Sequence, residues 1–264
     1  MQKQIGFAEV NGTRLYYELA GSGRPLALIH GFALNMQMWD DQFDEFAQQY
    51  RVLRYDVRGF GQSALPTIDR YAHNDDLRAL LAFLGIEHAY ILGLSMGGAI
   101  AVDFAVTFPE ATDALILVDA AVRGYQWIEG DPRHVARTRA RQAGIPAGKV
   151  AWLRHPLFAP ACEQPMLAAR LAHIIETYPG WHLHHANPLR HTEIPAIQQL
   201  DTIRVPTLII VGERDLLDFH HMAAILAQHI PGAKKTVMPG VGHMANMEDP
   251  RHFNDIVLRF LASL

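Results

Sequence analysis

The sequence predicts an α/β protein with a mostly parallel central sheet, helices on both faces and a helical lid inserted between two strands. The first indication is that short apolar runs alternate with longer amphipathic stretches, as in successive β-α-β units. The second is that this alternation stops between residues 122 and 195 and then resumes. The third is a hairpin pattern that precedes the alternation.

The hairpin is predicted from residues 7–10 and 13–17, which flank Asn11-Gly12, a pair favoured in type I′ turns. Six later apolar runs are predicted strands: 26–29, 51–55, 89–92, 114–118, 207–211 and 235–238. Seven stretches are predicted helices: 39–48, 75–84, 99–108, 133–143, 166–178, 222–229 and 253–261. Strands that are apolar throughout indicate a sheet covered on both faces.

The segment 122–195 is predicted to be a helical cap. It contains seven prolines before Pro195 and three of the four tryptophans, and it shows no strong strand pattern. A mainly helical insertion between two strands of one sheet is expected to lie over the strand ends. The remaining chain, 1–121 and 196–264, is the predicted core domain.

The composition excludes several classes of protein. A chain of 264 residues with 50% hydrophobic residues can bury a sizeable core. Its 23 basic and 27 acidic side chains give a formal net charge of −4, and no basic tract favours nucleic acid or an anionic membrane. There is no apolar run of the ~20 residues that span a membrane, no secretory signal, and only one cysteine, Cys162. We therefore expect a soluble cytoplasmic protein, and its oligomeric state is left open.

The strongest chemical signal is the pattern Gly-X-Ser-X-Gly at 93–97. It follows a predicted strand and precedes a predicted helix, which is the context of a nucleophile elbow. Ser95 is therefore the candidate nucleophile, and the flanking glycines are expected to permit the tight turn. Met96 would present its backbone N–H at a helix N-terminus, where an oxyanion is favoured.

A serine hydroxyl needs a base that is oriented by a third group. His243 lies on a glycine-rich loop after the last predicted strand and is the candidate base. Asp215 follows a predicted strand and is the candidate acid, and the order Ser95, Asp215, His243 is a known order of triad residues. Asp119 and Asp218 are rival acids, although capping of the next helix is the simpler role for Asp218.

A second oxyanion donor is expected in the loop that follows the predicted strand 26–29. That strand leads into His30-Gly31-Phe32, so the backbone N–H of Phe32 is the candidate. Gly31 would let the backbone approach a substrate closely. His30 is predicted to be structural, forming hydrogen bonds beneath the loop.

Together these segments resemble the α/β-hydrolase superfamily over nearly the whole chain. The segments that carry the resemblance are 30–32, 56–63, 93–98, 212–215 and 242–243. The sequence is most similar to small capped bacterial esterases and lactonases, such as 3-oxoadipate enol-lactonase. In such proteins the segment 56–63 is a structural turn, so the resemblance implies that Asp56 and Arg58 hold this loop.

The resemblance implies a serine hydrolase that cleaves a carboxylic ester or lactone of a small to medium acyl substrate through an acyl-enzyme. Three alternatives stay open on this fold: C–C bond hydrolysis of a diketone-like substrate, a cofactor-free perhydrolase or peroxidase, and a ligand receptor. Met244 follows the candidate base where C–C hydrolases typically carry tryptophan, which disfavours the first alternative. The expected partner is a small molecule, and no cofactor is expected.

The predicted cap is rich in aromatic and imidazole side chains. Trp127, Trp152 and Trp181 are predicted to contact the substrate, with packing inside the cap as the alternative. Four cap histidines, at 182, 184, 185 and 191, raise the question of a metal. No cysteine or carboxylate cluster completes such a site, so no metal is predicted.

Overall fold

The computed structural model describes residues 3–264, so the first two residues of the predicted core segment lie outside the described residues. The described chain contains one eight-stranded sheet in the order β1-β2-β4-β3-β5-β6-β7-β8. Its strands are β1 (Lys3–Val10), β2 (Thr13–Ala20), β3 (Pro25–Ile29), β4 (Arg51–Tyr55), β5 (Ala89–Leu94), β6 (Thr112–Val118), β7 (Thr207–Gly212) and β8 (Lys234–Met238). Only the β1–β2 and β2–β4 pairings are antiparallel, which confirms the predicted mostly parallel sheet.

The strands at the centre of the sheet are buried along their whole length. Every residue of β5 and β7 is buried, whereas β1 and β8 at the two edges are largely exposed. The uninterrupted apolar sequences of β5 and β7 reflect packing on both faces of the sheet. At the hairpin, Asn11 has φ 46° and Gly12 has φ 66°, the positive values that a type I′ turn requires.

Six α-helices belong to the core part of the described chain: α1 (Asp40–Phe46), α2 (His73–Phe83), α3 (Met96–Thr107), α9 (Leu217–His229), α10 (Ala245–Glu248) and α11 (Pro250–Ala262). Helix α2 packs against α3, which contacts β5 and β6, and α9 contacts β7 and β8. Helices α1, α10 and α11 contact one another, and α1 contacts β4. Short 3-10 helices are present at Met36–Trp39, Pro109–Ala111, Pro156–Phe158, Ala196–Gln198 and Leu200–Thr202.

Five further helices lie between β6 and β7, within the segment predicted as the cap: α4 (Arg133–Ala143), α5 (Ile145–Leu153), α6 (Ala159–Cys162), α7 (Pro165–Thr177) and α8 (Trp181–His184). They pack mainly on one another, α4 against α5 and α8, and α5 against α7. Hydrogen bonds tie this segment to the core, since Tyr71 O accepts from Arg190 N (2.6 Å) and Tyr71 Oη donates to Asn187 Oδ1 (2.9 Å).

Several helices begin earlier than the sequence pattern predicts, and α3 and α9 are the two that lie next to candidate catalytic residues. Helix α3 begins at Met96 rather than at 99, because Gly97 and Gly98 are poor helix formers that obscured its first turn. Helix α9 begins at Leu217 rather than at 222, and its N-cap residue, Leu216, supplies no side-chain hydrogen bond as a signal. Both early starts bring a helix directly to the loop that carries a candidate catalytic residue. None of the helices in residues 3–264 has the length and apolar character needed to cross a bilayer.

Candidate active site

Ser95 lies between the end of β5 and the start of α3. Its backbone has φ 57° and ψ −112°, a conformation that residues with side chains rarely adopt. The surrounding backbone imposes this geometry, because Ser95 N donates to Val118 O (3.0 Å) and Ser95 O accepts from Ala99 N and Ala121 N (both 3.1 Å). The turn is therefore a strained elbow at the carboxyl edge of the sheet.

The glycines around Ser95 are required by close packing rather than by their own backbone angles. A Cβ on Gly93 would clash with the backbone of Gly97, and a Cβ on Gly97 would clash with the carbonyl group of Ile29. The positive φ falls on Ser95 itself. The prediction that the flanking glycines permit the tight turn is confirmed, because a Cβ at either position would clash with backbone.

His243 and Asp215 form a hydrogen bond between His243 Nδ1 and Asp215 Oδ2, 2.9 Å apart. Asp215 lies in the turn after β7, and its other oxygen accepts a hydrogen bond from Leu216 N at 2.7 Å. Both side chains are almost fully buried. A histidine that donates from Nδ1 keeps its Nε2 unprotonated and able to accept a proton.

Burial sets the protonation of this pair. Burial lowers the pKa of His243 to about 4, although the carboxyl groups of Asp119 and Glu248 act to raise it. The imidazole is therefore neutral at neutral pH. Burial raises the pKa of Asp215, and the hydrogen bond from Leu216 N opposes the rise. A neutral imidazole is the form that a general base requires.

The loop that carries His243 is held by Glu248, a residue that the sequence analysis missed. Glu248 Oε2 accepts from Gly242 N (2.7 Å) and Oε1 accepts from Met244 N (3.0 Å), so one carboxylate fixes the backbone on both sides of His243. Glu248 is buried at the end of α10. In the sequence it is one of two adjacent acids before α11, Glu248 and Asp249, and only the tertiary structure distinguishes it.

Asp119, the first rival acid, lies beside Asp215 at the end of β6. Its Oδ1 accepts from Gly212 N at 2.8 Å, and it contributes an atom to a cluster with Asp215 and His243 in which ligand-type atoms lie within 4.8 Å of one another. Burial and then the neighbouring Asp215 carboxylate raise the pKa of Asp119 well above its ordinary value. A rise in pKa favours the protonated form of Asp119, in which its buried Oδ2, an atom without a hydrogen-bond partner among the described residues, can donate to Asp215.

The second rival acid, Asp218, does not cap a helix. It lies inside the first turn of α9, whose N-cap residue is Leu216. Its carboxylate accepts hydrogen bonds from Tyr125 Oη (2.8 Å), Ile128 N (2.8 Å) and Glu129 N (3.0 Å). Asp218 thus anchors the start of the cap segment, and the predicted capping role is wrong.

Asp119, Asp215 and His243 are the group in the described chain whose donor atoms could converge on one ion. Their atoms are already engaged, because His243 and Asp215 bind each other and Asp119 accepts from a backbone N–H. The arrangement therefore fits a hydrogen-bonded histidine–aspartate pair better than a metal site. The cap histidines at 182, 184, 185 and 191 form no such group within residues 3–264.

The loop after β3 is held from beneath by His30, as predicted. His30 Nδ1 is 2.8 Å from Gly31 O, and His30 Nε2 accepts from Val57 N at 2.9 Å. Burial lowers the pKa of His30 to about 4, so the ring is neutral and both of its nitrogens are used. The role is structural, and His30 is not a second base.

The same loop places the predicted oxyanion donors near Ser95. A Cβ built on Gly31 would lie 3.6 Å from Ser95 Cβ, so the loop packs directly against the elbow. Phe32 follows Gly31, and Met96 is the first residue of α3. Within residues 3–264 the backbone N–H groups of Phe32 and Met96 have no acceptor, so both are available to a ligand.

The 56–63 segment is a structural turn, as the resemblance implies. Asp56 accepts from Met36 N (2.9 Å) and Gln62 N (2.7 Å), and Arg58 forms a buried ion pair with Asp76 (2.6 Å). These contacts connect the loops after β3 and β4 to α2.

A cavity of about 420 Å³ joins the sheet edge to the cap segment. Ser95, Phe32 and Met96 line it from the core, and Trp127 and Trp152 line it from the cap. His243 lies beside it, with its ring 4.3 Å from that of the lining residue Phe219.

Trp181 does not appear among the described residues that line this cavity. Its ring stacks on His185 at 4.9 Å and meets His182 edge-on at 5.1 Å. The prediction that Trp181 contacts the substrate is therefore not supported, and packing within the cap accounts for this side chain. The sequence pattern could not separate the two roles, because tryptophan is large and mostly buried in either.

A strained serine elbow, a hydrogen-bonded histidine–aspartate pair and two unpaired amides around one cavity define a hydrolase-type site. The family model described as the alpha/beta hydrolase fold matches residues 24–250, and the chain belongs to that family. The family match confirms both the predicted fold and the resemblance. The protein is thus a hydrolase of the α/β fold.

Relatives of this chain include proteins described as hydrolases. A putative carbamate hydrolase, RutD, from Escherichia coli is 30% identical over 250 residues, covering 90% of this chain and 91% of that protein. Among solved structures, an enol-lactonase from Burkholderia xenovorans is 27% identical with a TM-score of 0.82, covering 97% of this chain and 100% of that one. A thermophilic esterase from Thermogutta terrifontis, with malate bound, is 27% identical with a TM-score of 0.85, covering 98% of both chains.

Proposed function

We propose that this protein hydrolyses a carboxylic ester or lactone of a small to medium acyl substrate through a covalent acyl-enzyme. The observation that carries the proposal is the buried His243–Asp215 hydrogen bond, 2.9 Å long, together with a serine elbow on the same cavity. The enol-lactonase and esterase among its structural neighbours support the choice of an ester or lactone.

In the proposed mechanism, His243 Nε2 accepts the proton of the Ser95 hydroxyl as the Ser95 oxygen attacks the substrate carbonyl carbon. Asp215 holds the imidazole in the tautomer with a proton on Nδ1 and stabilises the imidazolium that forms. The imidazolium then protonates the leaving alcohol. A water molecule that gives its proton to His243 attacks the acyl-enzyme, and Ser95 regains its proton as the acid departs.

The N–H groups of Phe32 and Met96 are proposed to stabilise the oxyanion. Neither amide has another acceptor within the described residues, and both residues line the cavity beside Ser95. Amides held rigidly need no reorganisation as negative charge develops, and each such donor contributes about 3 kcal/mol to transition-state stabilisation. The segment 122–195 is proposed to act as the cap that closes the cavity and limits the acyl chain.

The proposed test is hydrolysis of p-nitrophenyl acetate, butyrate and octanoate by wild type and Ser95→Ala. Turnover by the wild type that falls at least about 10⁴-fold in the variant is expected. Matched thermal unfolding curves show that the variant is folded. Residual activity of more than a few per cent in Ser95→Ala would rule out the serine mechanism.

A carbamate is a second candidate substrate class, favoured by the relative described as a putative carbamate hydrolase. A carbamate carbonyl would be attacked by the same serine, so the residues and their roles are unchanged. A p-nitrophenyl carbamate added to the substrate series distinguishes the two classes. Faster release of p-nitrophenol from the carbamate than from every ester would favour this candidate.

A further inference from the structure

The cavity follows one face of helix α3 away from Ser95. Its lining includes Met96, Ala99, Ile100 and Asp103, which are spaced i, i+3, i+4 and i+7 and therefore lie on one face of the helix. Because an α-helix rises 1.5 Å per residue, this face extends the cavity by about 10 Å. Ala99 lies near the middle of the face and is partly exposed.

The end of the cavity near Ser95 is lined by aromatic side chains. The Phe32 ring lies 5.4 Å from the Trp152 ring, and the Phe219 ring lies 4.3 Å from the His243 ring. In the proposed mechanism His243 protonates the leaving alcohol, so the alcohol part of the substrate lies beside His243 and Phe219. The acyl part then extends away from His243.

Two arginines of α4 also line the end near Ser95. Arg133 Nη2 lies 2.8 Å from Asp131 Oδ2, and Arg137 Nη1 lies 3.9 Å from the same oxygen. The guanidinium carbon of Arg133 is 5.9 Å from the centre of the Phe32 ring. These two cations therefore belong to the aromatic end of the cavity.

The end of the cavity beside Asp103 is polar instead. Arg123 Nε lies 3.1 Å from Asp103 Oδ1, and Asn74 Nδ2 donates to Thr107 Oγ1 (3.0 Å), one turn further along α3. His73 precedes Asn74 in the first turn of α2, and both line the cavity. The lining thus changes from aromatic to polar along α3.

The charged groups at this polar end are paired with one another. Arg123 pairs with Asp103, and Arg190 pairs with Asp75 at 2.6 Å. Asp103 is the one carboxylate among the described residues that line the cavity. Burial lowers the pKa of His73 well below its ordinary value, so its imidazole is neutral at neutral pH. A group that binds at this end is therefore expected to be polar and uncharged.

His73 and Asn74 have the hydrogen-bonding capacity to bind such a group. Both side chains are more than nine-tenths buried, with 8% of the surface of each residue exposed. His73 Nδ1 has no hydrogen-bond partner among the described residues, and the Asn74 amide has a carbonyl oxygen and a second N–H besides the one given to Thr107. A neutral imidazole and an amide each offer a donor and an acceptor, which together match a hydroxyl group.

We propose that the acyl chain of the substrate lies along α3 and ends in a hydroxyl group that His73 and Asn74 bind. The inference rests on the proposed function, because it identifies the acyl part of the substrate of the same site. Three bonds of an extended backbone span ~3.3–3.6 Å, so a chain of about eight bonds covers this face of α3. An ω-hydroxyoctanoyl group has this length.

The test compares three esters that differ only at the end of the acyl chain: p-nitrophenyl ω-hydroxyoctanoate, p-nitrophenyl nonanoate and mono-p-nitrophenyl nonanedioate. They carry a hydroxyl, a methyl and a carboxylate group at the same position, and all release p-nitrophenol from the same acyl carbon. Ratios of kcat/KM therefore isolate the effect of the end group. We expect the wild type to prefer the hydroxy ester about 10-fold over each of the other two.

His73→Leu tests the polar end of the cavity. The leucine lacks the imidazole nitrogens, so the preference for the hydroxy ester over the nonanoate should fall about 10-fold. His88→Leu is the matched control, because His88 is exposed and is not among the described lining residues, and it should keep the wild-type preference. Matched thermal unfolding curves show that both variants are folded.

Ala99→Phe tests the path of the chain and does not depend on the folding of His73→Leu. A phenyl ring at this position obstructs the face of α3 between its two ends. The kcat/KM for the hydroxy ester, relative to that for p-nitrophenyl acetate, should fall about 100-fold. Ala82→Phe is the matched control, because Ala82 is exposed on α2 and is not among the described lining residues.

Three results would overturn the inference and leave the proposed function intact. The first is Ser95-dependent hydrolysis of the nonanoate or the nonanedioate that is at least as efficient as that of the hydroxy ester. The second is a preference that His73→Leu does not reduce more than His88→Leu does. The third is a relative activity on the hydroxy ester that Ala99→Phe does not reduce more than Ala82→Phe does. A wild type that hydrolyses none of these esters, including the acetate, would instead reject the proposed function.

Discussion

The two sides of the cavity, the sheet edge and the cap segment, differ in how their polar groups are paired. At the sheet edge, His243 is bound to Asp215, and Glu248 holds the backbone on both sides of His243. On the cap side, Trp152 Nε1 and His182 Nε2 are buried without partners, and two arginines share one carboxylate. The protein itself thus completes the hydrogen bonds of the proposed His243–Asp215 pair, whereas on the cap side two arginines have only one carboxylate between them.

The largest effect is expected from Asp215→Asn, which tests the sheet edge. The asparagine preserves the shape of the side chain but can present N–H to His243, which favours the wrong imidazole tautomer. We expect kcat on p-nitrophenyl butyrate to fall by about 10⁴-fold. Asp218→Asn is the matched control, because that carboxylate anchors the cap segment rather than His243, and most of kcat should remain. Equal losses of kcat in both variants would show that Asp215 has no special role.

Gly97→Ala tests whether the elbow depends on close packing. The added Cβ would meet the carbonyl group of Ile29, which is backbone and cannot move aside. We expect the free energy of unfolding in urea to fall by about 3 kcal/mol or more. Gly85→Ala is the control, since that site is open and only its φ of 68° is unfavourable, so the loss should be about 1 kcal/mol. A Gly97 variant no less stable than the Gly85 variant would contradict the packing argument.

Glu248→Gln tests how the His243 loop is held. Glutamine has one acceptor oxygen where Glu248 has two, so either Gly242 N or Met244 N loses its partner. We expect a loss of about 1–3 kcal/mol in unfolding free energy. Because the loop orients the base, kcat should also fall, by about 10-fold. Unchanged kcat and stability would show that the loop is fixed by other contacts.

Asp119→Asn and Asp119→Ala together test the protonation of the carboxyl group beside Asp215. Asparagine resembles a neutral acid, so Asp119→Asn should keep kcat close to the wild-type value. Asp119→Ala leaves Gly212 N without an acceptor and should cost about 1–3 kcal/mol of unfolding free energy.

The pH profile of Asp119→Asn tests the same point, because protonation of His243 reduces kcat/KM at low pH. An ionised Asp119 would raise the pKa of His243, so its removal would move the midpoint of this decline to lower pH. A midpoint that stays in place in Asp119→Asn indicates a neutral Asp119, the form that its raised pKa favours, and a midpoint that moves to lower pH indicates an ionised one.

The smallest effect is expected from Trp181→Phe, which tests which tryptophans of the cap segment line the cavity. Trp181 packs on His185 and is not among the described residues that line the cavity, so KM should stay at the wild-type value. Trp152→Phe changes a residue that lines the cavity, and it should raise KM. Steady-state kinetics on p-nitrophenyl butyrate measure both. A larger rise in KM for Trp181→Phe than for Trp152→Phe would contradict the described cavity.

The sequence was most informative where one residue type and its neighbours define the local structure. Strand, elbow and helix around Ser95 follow from local pattern, and the positions of Asp215 and His243 follow from strand ends. Contacts between distant segments were not predictable in the same way. Glu248, the contact between Asp119 and Asp215, and the anchoring role of Asp218 each depend on which loops meet in space.

The cap was the least predictable region for the same physical reason. Its aromatic residues bury large areas either against a substrate or against each other, and periodicity does not distinguish these cases. Trp127 and Trp152 line the cavity, whereas Trp181 packs on histidines. The ion pairs that Arg133 and Arg137 both form with Asp131 were equally hard to predict, because charged residues on a helix usually face solvent.

Covalent trapping of the nucleophile tests the central claim most directly. The protein is treated with a fluorophosphonate, and the modified residue is located by mass spectrometry of the intact chain and its peptides. We predict one adduct per chain, on the peptide that contains Ser95, absent in Ser95→Ala and formed much more slowly in Asp215→Asn. An adduct at another residue, or hydrolysis of p-nitrophenyl butyrate that continues unchanged in Ser95→Ala, would contradict the account.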